Sequence, residues 1–481
     1  MRSSSKLTLV FCISILAVIF LFNPHYIELS ALENWFFFKG LVWYKEFPAE
    51  HFPLGRLVLL PTQLLSNWSF RLDPFVALLS GILCLILIYR FGKKHLASYG
   101  TIVSLLFFTI FFWYFATGIL FFHEIFIGLL LLASIYILFN MYSEQEISPK
   151  KLLTLGILFS ATELSGQIAT LSIIAIAISS LYLIKIKSRN PKKFFRSITI
   201  VLLGVVIPFF PFLVYFAANN ALVDFFYWNI LYYLTYAQDA SKNLLILPYK
   251  IILTFYLPLA ALVIFTPAKR NRNFKNISLL LISLSTIPGV VFSIFHFHHF
   301  NYALPILALT GGMVFTKKSS NKILTNVLRA ALLLTLLWIL VNKILPWHLS
   351  RIIYPSLKIY NVETVPGDNT HETIEWLRRN TSPDSRIMVV GTPIVYFASD
   401  RLPASRPAKG IPYTWTPIES VKREMTSMPP DYWVVDRRFL NRVAINNSRE
   451  DIQQFVDEEL ARCFSKVIQY NNWEIWQKLC E

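Results

Sequence analysis

The feature that most constrains this chain is a series of about eleven hydrophobic segments, each close to the length needed to cross a lipid bilayer. In a chain of 481 residues that is 55% hydrophobic and only 15% charged, such a series predicts a polytopic α-helical membrane protein. A hydrocarbon core of about 30 Å requires roughly 20 residues per helix, so several segments are near the short limit. The segments are residues 7–23, 73–89, 97–115, 119–142, 152–166, 168–184, 197–218, 244–266, 277–294, 301–315 and 323–345.

The distribution of basic residues predicts the orientation. If the N-terminus is cytoplasmic, twenty lysines and arginines lie in the cytoplasmic loops and only five in the opposite loops. The run 53–66 holds Arg56 and two prolines, so we interpret it as an interfacial helix and not as a crossing. The net charge of +17 therefore sets the topology and does not indicate a nucleic-acid partner. The predicted location is the cell (inner) membrane.

From about residue 346 the pattern changes to helices that alternate with strands. Residues 371–379 and 450–463 read as helices, 386–391 and 430–436 as buried strands, and 464–478 as a strand pair. This alternation predicts an α/β domain at 346–481, after a transmembrane domain at 1–345 with an outer loop at 24–72. An odd number of crossings places the α/β domain outside the cytoplasm.

Two of the four cysteines lie in this last part. Asn471 and Asn472 separate two β-prone runs and predict a type I′ hairpin turn, because Asn tolerates positive φ. That turn pairs Tyr470 with Trp473. At constant register it also pairs Cys463 with Cys480 at a non-hydrogen-bonded position, where the Cα atoms lie about 4.5 Å apart. We therefore expect a disulfide between Cys463 and Cys480. The alternative is two unpaired thiols at a frayed terminus.

The topology brings distant polar residues to one membrane face. Acidic groups near a lipid boundary are costly unless they are used or paired, so we expect the active site there. The residues concerned are Glu28, Glu33, His123, Glu124, Glu163, Asp224 and the histidines 296, 298 and 299. The sequence contains no CxxC, HExxH, Walker or GxGxxG motif, which removes support for the common soluble nucleotide chemistries.

The outer loop carries the strongest family signal. It contains Glu28 after the first hydrophobic segment, then Gly40, Trp43–Tyr44 and His51–Leu54. Further matching stretches are Thr117–Glu124, Ala221–Ala237, His299–Pro305 and Tyr396–Ser405. Together they resemble bacterial glycosyltransferase family 39 of the GT-C superfamily, the protein-mannosyltransferase-like and aminoarabinose-transferase-like proteins. The resemblance spans nearly the whole chain. It departs from the family where Glu28 stands for the usual Asp and where Glu163 and Gln167 stand near a usual Lys.

The resemblance implies an enzyme that moves a sugar from a polyprenyl-phosphate donor to a hydroxyl of a lipid, glycan or protein acceptor. Inverting transfer needs a base for the acceptor hydroxyl, and Glu28 is the expected base. Because the spacing from Tyr44 is about two residues short, Glu33 is an alternative. Glu124 is expected to orient Glu28 or to share a cation.

The departing phosphate also needs partners, and His298, His299 and Arg401 are the candidates. For the histidines, interfacial packing is an equally good explanation, and for Arg401 so is a surface charge. Glu124 and His298 could contribute to a site for Mg²⁺, Mn²⁺ or Zn²⁺. The alternative function is a transporter or flippase of lipid-linked glycans, which predicts an internal repeat and charges at mid-membrane. The sequence contains neither an internal repeat nor a clear charge at mid-membrane.

Overall fold

The computed structural model describes about three quarters of the chain. The described residues are 2–22, 32–47, 49, 52–68, 72–115, 122–144, 147–188, 190–231, 274–292, 300–316, 370–405, 429–447 and 449–480, with isolated positions between 323 and 341 and between 418 and 423.

The described part up to residue 316 is mainly helical. Its longer helices are α1 (Arg2–Phe22), α5 (Asp73–His95), α6 (Ser98–Phe115), α7 (Phe122–Ser143), α8 (Pro149–Glu163), α9 (Thr170–Lys187), α10 (Pro191–Ala218), α12 (Phe274–Phe292) and α13 (Phe300–Thr316). The short helices are α2 (Leu32–Phe38), α3 (Leu54–Leu57), α4 (Leu60–Leu65) and α11 (Leu222–Phe226). A π-helix over Tyr227–Leu231 follows α11.

These helices agree with nine of the predicted segments. Segment 244–266 lies outside the described residues and 323–345 is described only at isolated positions, so the total of eleven stays a prediction. Four helices of the described part are long and apolar enough to cross a membrane, namely those at 73–95, 123–143, 167–187 and 191–218. The run 53–66 forms α3 and α4, which are too short to cross.

The helices pack through small residues where they approach most closely. A Cβ added to Gly156 of α8 would lie 2.0 Å from the carbonyl oxygen of Val201 in α10. A Cβ added to Gly204 of α10 would lie 2.4 Å from the carbonyl oxygen of Leu153. Because lipid offers no hydrophobic gain for helix association, such close backbone contact is what holds membrane helices together. Helix α7 packs against α5, α8 and α13, so its first turn, which holds His123 and Glu124, has a fixed position.

Residues 370–480 form a five-stranded mixed sheet with helices. The strands are β1 (Arg386–Val390), β2 (Leu402–Pro403), β3 (Tyr432–Asp436), β4 (Phe464–Tyr470) and β5 (Trp473–Lys478), in the spatial order β2-β1-β3-β5-β4. Strands β2, β1 and β3 are parallel, and β5 is antiparallel to β3 and β4. The helices are α14 (Thr370–Asn380), α15 (Ile394–Ser399), α16 (Arg437–Asn447) and α17 (Glu450–Cys463). The predicted boundary near residue 346 lies outside the described residues.

The sheet and the outer loop share one apolar core. On α2, the ring of Trp35 lies edge-on to Phe397, with centroids 5.5 Å apart, and Phe36 meets Tyr396 in the same way at 6.0 Å. The Tyr396 hydroxyl accepts a hydrogen bond of 2.8 Å from the Val389 amide of β1, which fixes α15 on the sheet. The C-terminal unit therefore supports the segment that carries Glu33.

The terminal hairpin contains the Cys463–Cys480 disulfide, with Cα atoms 5.2 Å apart. The register expected from the turn holds for the three pairs nearest to it, Tyr470–Trp473, Gln469–Glu474 and Ile468–Ile475. A bulge between Lys466 and Ile468 then shifts the pairing by one residue. Of the two turn residues, both described, only Asn471 has a positive φ, of 54°, so the predicted type I′ turn is wrong.

We expect the disulfide to contribute to stability. Replacing both cysteines by serine (Cys463→Ser with Cys480→Ser) should lower the free energy of unfolding by about 3 kcal/mol, since the bridge closes a short loop in the unfolded chain. The measurement is the urea dependence of proteolysis within residues 370–480 of the purified full chain. A reductant should destabilise the wild type to the same extent and leave the double variant unchanged. Equal stability of the oxidised wild type and the variant would contradict this expectation.

Candidate functional site

The site begins with Glu33 on α2. Glu33 and the next residue, Asn34, are fully buried although both are polar. Glu33 lies in the first turn of the helix, where a negative charge is favoured by the helix dipole. The aromatic residues that follow are packed against the C-terminal unit, so α2 turns Glu33 and Asn34 towards the membrane helices.

The partner of Glu33 is Arg56 of α3. The side chain of Arg56 is only 2% exposed, and its Nε lies 3.9 Å from Glu33 Oε2. The backbone oxygen of Arg56 accepts a hydrogen bond of 2.7 Å from Asn34 Nδ2. The two short helices are thus joined by an ion pair and by a hydrogen bond, although their sequences are separated by the aromatic loop.

Arg56 also reaches the first turn of α7. Its Nη1 lies 3.0 Å from His123 Nδ1, and His123 Nε2 lies 2.8 Å from Glu124 Oε1. An arginine nitrogen can only donate, so Nδ1 must accept and the imidazole proton must lie on Nε2. His123 is therefore neutral in this arrangement, and its Nε2 lies close to the Glu124 carboxylate. We call Glu33, Arg56, His123 and Glu124 the buried charge cluster.

The cluster keeps several ionisable groups away from water. With neutral His123, its four side chains comprise two carboxylates and one guanidinium, and all four are buried. Burying an ion costs several kcal/mol even after relaxation, and partners recover this cost only in part. Acidic residues kept at the end of a membrane helix under these conditions are candidates for function.

A second polar chain supports the first. Asn34 Nδ2 donates to Gln63 Oε1 at 2.8 Å, and Gln63 Nε2 donates to Asp73 Oδ2 at 2.9 Å. The other oxygen of Asp73 accepts from Thr62 Oγ1 at 2.8 Å. Asp73 begins α5, so this chain ties α2 and α4 to a long membrane helix. It fixes the position of Asn34 and, with it, that of Glu33.

A third polar group lies beside the aromatic loop. Gln167 Nε2 donates to Asn229 Oδ1 at 2.9 Å, and the Tyr44 hydroxyl lies 3.4 Å from the same oxygen. Tyr44 is fully buried with a φ of 64°, a conformation that bulky residues rarely adopt. Burial raises the pKa of Tyr44 well above its usual value, so the phenol stays protonated. The strain indicates that this part of the loop is held by its surroundings.

The structure brings together part of the predicted set. Glu33 and Glu124 meet in the buried charge cluster through Arg56 and His123. The carboxylate of Glu163 instead accepts from Thr170 Oγ1 at 2.9 Å. Asp224 lies in α11, next to Phe225, which stacks on Phe216 beside Tyr44. The residues Glu28, His296, His298 and His299 lie outside the described residues.

Arg401 has a different role from the one predicted. It is only 4% exposed, and its guanidinium donates to Thr381 Oγ1 at 2.8 Å and to the backbone oxygen of Thr381 at 2.7 Å. Further bonds go to the backbone oxygens of Leu377, Ser399 and Asp400. The side chain thus caps the C-terminus of α14, where a cation is favoured by the helix dipole. These contacts contradict the predicted role of Arg401 in phosphate binding.

The cation site expected from the sequence has one described candidate ligand. Glu124 lies in the buried charge cluster, where its carboxylate faces His123, and His298 is outside the described part. Within the described residues, no three His, Cys, Asp or Glu side chains are grouped so that they could hold a metal ion.

The sequence did not identify Arg56 as a site residue. Its position in an apolar run between two prolines suggested an interfacial helix only. A lone arginine in a run that is otherwise apolar could have been taken as a sign of a buried partner, since such a charge is rarely enclosed unless it is paired.

Comparison with known proteins agrees with this fold. Residues 60–215 match the family model described as dolichyl-phosphate-mannose-protein mannosyltransferase. ArnT from Cupriavidus metallidurans, solved bound to undecaprenyl phosphate, has a TM-score of 0.56 and 10% identity over 99% of this chain and 98% of that chain.

Two more solved structures are similar. AglB, an archaeal oligosaccharyltransferase from Archaeoglobus fulgidus in complex with an inhibitory peptide and a dolichol-phosphate, has a TM-score of 0.53 and 12% identity over 90% of this chain and 69% of that chain. The arabinofuranosyltransferase AftD from Mycobacteria has a TM-score of 0.54 and 11% identity over 100% of this chain and 42% of that chain. No curated protein sequence matches significantly. The predicted resemblance to protein-mannosyltransferase-like and aminoarabinose-transferase-like proteins is confirmed by the family match at residues 60–215, and the chain has the fold of these three solved proteins.

Proposed function

We propose that this protein is a membrane glycosyltransferase that moves a sugar from a polyprenyl-phosphate donor to an acceptor hydroxyl on the extracytoplasmic face. The observation that carries the proposal is the buried charge cluster, which brings together two carboxylates from the first turns of α2 and α7. The family matched by residues 60–215 is described by a dolichyl-phosphate-linked sugar, and ArnT was solved with undecaprenyl phosphate. Both support a donor of this class for the present chain.

The reaction forms a bond between the acceptor oxygen and the sugar C1 and breaks the bond between C1 and the phosphate oxygen. The acceptor loses its proton to a glutamate, and the polyprenyl phosphate leaves with the electron pair of the broken bond and therefore with one more negative charge. Attack from the side opposite to the phosphate inverts the configuration at C1. The enzyme must therefore supply a base on one side of the sugar and groups that stabilise the phosphate on the other.

Glu28 is the proposed base, and the buried charge cluster is proposed to hold the surrounding loop in position. Glu33 is fully buried and paired with Arg56, which suits a positioning residue better than a group that must meet an acceptor. Glu124, oriented by neutral His123, is proposed to orient Glu28. His298 and His299 are the proposed partners of the departing phosphate. Of the two proposed cation ligands, Glu124 and His298, only Glu124 lies in the described part of the chain.

The test is to incubate the purified chain with radiolabelled polyprenyl-phosphate sugars and with lipid, glycan and peptide acceptors, with and without EDTA. Label that moves to an acceptor, or that is slowly released by hydrolysis, supports the proposal. Label that crosses the membrane of a proteoliposome without cleavage of the phosphate bond identifies a flippase and overturns it. The arm with EDTA shows whether a divalent cation takes part.

The proposed location of the site also makes a topological prediction. Residues 185–196 should be cytoplasmic and residues 350–481 should not, because of the twenty basic residues on one side against five on the other. A cysteine introduced at Ser188 should not react with a membrane-impermeant maleimide in intact cells. A cysteine introduced at Ser382 serves as the matched position and should react. The reverse result would place the site on the cytoplasmic face.

A further inference from the structure

A second cluster of charged side chains lies at the opposite ends of the helices that carry the site. Asp73 and Glu124 are in the first turns of α5 and α7, and this cluster lies at the last turns of the same helices. A helix of 22 residues, such as α7, is on the order of 30 Å long. The cluster is therefore separated from the buried charge cluster by about the thickness of the membrane. Its residues are Lys94, His95, Asn140, Tyr142 and Lys275.

The cluster holds two ammonium groups, and the other side chains named for it are neutral. Lys275 Nζ, from the start of α12, donates to His95 Nδ1 at 3.0 Å and lies 5.6 Å from the centre of the Tyr142 ring. Lys94 Nζ donates to Asn140 Oδ1 at 2.7 Å. Lys94 is near enough for its charge to act on both Lys275 and His95. Because Nδ1 accepts from a lysine, His95 is neutral here and adds no charge.

The lysines are held in place and do not simply extend into water. The ring of Tyr142 stacks on Phe274, with centroids 4.9 Å apart, and this pair forms an aromatic wall beside Lys275. His95 packs against Phe91 and Phe139 on the other side. A lysine whose only role is to set the topology would not need hydrogen bonds or aromatic contacts to hold its ammonium group in place. Two positive charges held near one another repel, and an anion placed between them would turn this repulsion into attraction.

We propose that Lys94 and Lys275 form a binding site for the phosphate of an anion at the membrane surface opposite the glycosyltransferase site. The ligand class is a phosphate ester or inorganic phosphate, and an anionic phospholipid headgroup of that leaflet is one source. Basic pockets between membrane helices bind lipid headgroups through ammonium–phosphate contacts of this kind. The proposal does not depend on the sugar-transfer reaction.

The test uses the purified full chain in detergent, titrated in separate arms with phosphatidylglycerol, phosphatidylcholine and inorganic phosphate. Retained ligand is counted by native mass spectrometry. The wild type should bind phosphatidylglycerol more tightly than phosphatidylcholine. The double variant Lys94→Gln with Lys275→Gln should bind it about 25-fold more weakly, at about fivefold for each lysine near an anionic headgroup. Binding of inorganic phosphate alone, lost in the same variant, supports the site and identifies a soluble ligand.

The control removes two exposed lysines of the same membrane face, Lys93→Gln with Lys150→Gln, and so causes the same change in net charge. It should bind as the wild type does. If both double variants lose affinity equally, the effect is that of overall charge and the proposal is wrong. It is also wrong if neither variant changes binding. The single variant Lys94→Gln changes an exposed position and should bind phosphatidylglycerol about fivefold more weakly than the wild type. This variant keeps the test valid if the double variant does not fold.

Discussion

Glu28→Gln is expected to lower the rate of sugar transfer by about 10²- to 10⁴-fold, because the substitution removes the base that accepts the acceptor proton. Glutamine keeps the size and polarity of the side chain, so the amount of protein in the membrane and its unfolding temperature should be unchanged. The measurement is the initial rate with a radiolabelled donor as a function of pH. The wild-type rate should fall as the pH is lowered and the carboxylate becomes protonated, and the residual rate of the variant should not show this decrease.

The matched control is Glu46→Gln, which makes the same change at an exposed carboxylate of the same loop. In the structure, Glu46 Oε2 accepts from the Val42 amide, so its loss should affect only a local turn. This variant should keep nearly the full rate. If Glu28→Gln is fully active and a folded Glu33→Gln is inactive, the base is Glu33 and the assignment to Glu28 is wrong, although the reaction itself would stand.

Arg56→Gln is expected to destabilise the protein by about 3–5 kcal/mol. The change removes the cation between Glu33 and His123 and leaves a fully buried carboxylate without its ionic partner. The comparison is a double-mutant cycle of Arg56→Gln and Glu33→Gln, measured as the free energy of unfolding of the purified chain in detergent. The variant that carries both changes should be less destabilised than the sum of the two single variants, because the second change removes the carboxylate that the first leaves without Arg56.

A second cycle at an exposed ion pair provides the contrast. Lys39 Nζ lies 2.7 Å from Asp400 Oδ1, but both side chains are accessible to water, with 36% and 62% of their surfaces exposed. Surface pairs of this kind contribute less than about 1 kcal/mol. A coupling between Glu33 and Arg56 no larger than that between Lys39 and Asp400 would contradict the role we give to the buried pair.

The sequence by itself determined the properties that depend on local pattern. Long apolar segments and the asymmetry of basic residues predicted a helical membrane protein, and the described helices follow nine of the predicted segments. The alternation from about residue 346 predicted the helices α14 and α17 and four of the five strands of the C-terminal unit, but not α15, α16 or β2. The terminal hairpin was also predictable, since Asn471 and Asn472 lie midway between Cys463 and Cys480. Residues that are close in the sequence are enough to specify these features.

Only the tertiary structure decided how distant polar residues combine. Arg56 and His123 are 67 positions apart and meet because α3 packs against the first turn of α7. The same limit explains the two errors at the C-terminus. Arg401 is drawn to the carbonyl groups at the end of α14, and one bulge in β4 changes the register of the hairpin without separating its cysteines. For Arg56 and Arg401, burial supplies the physical reason, because an enclosed charge must find whichever partner the packing brings near it.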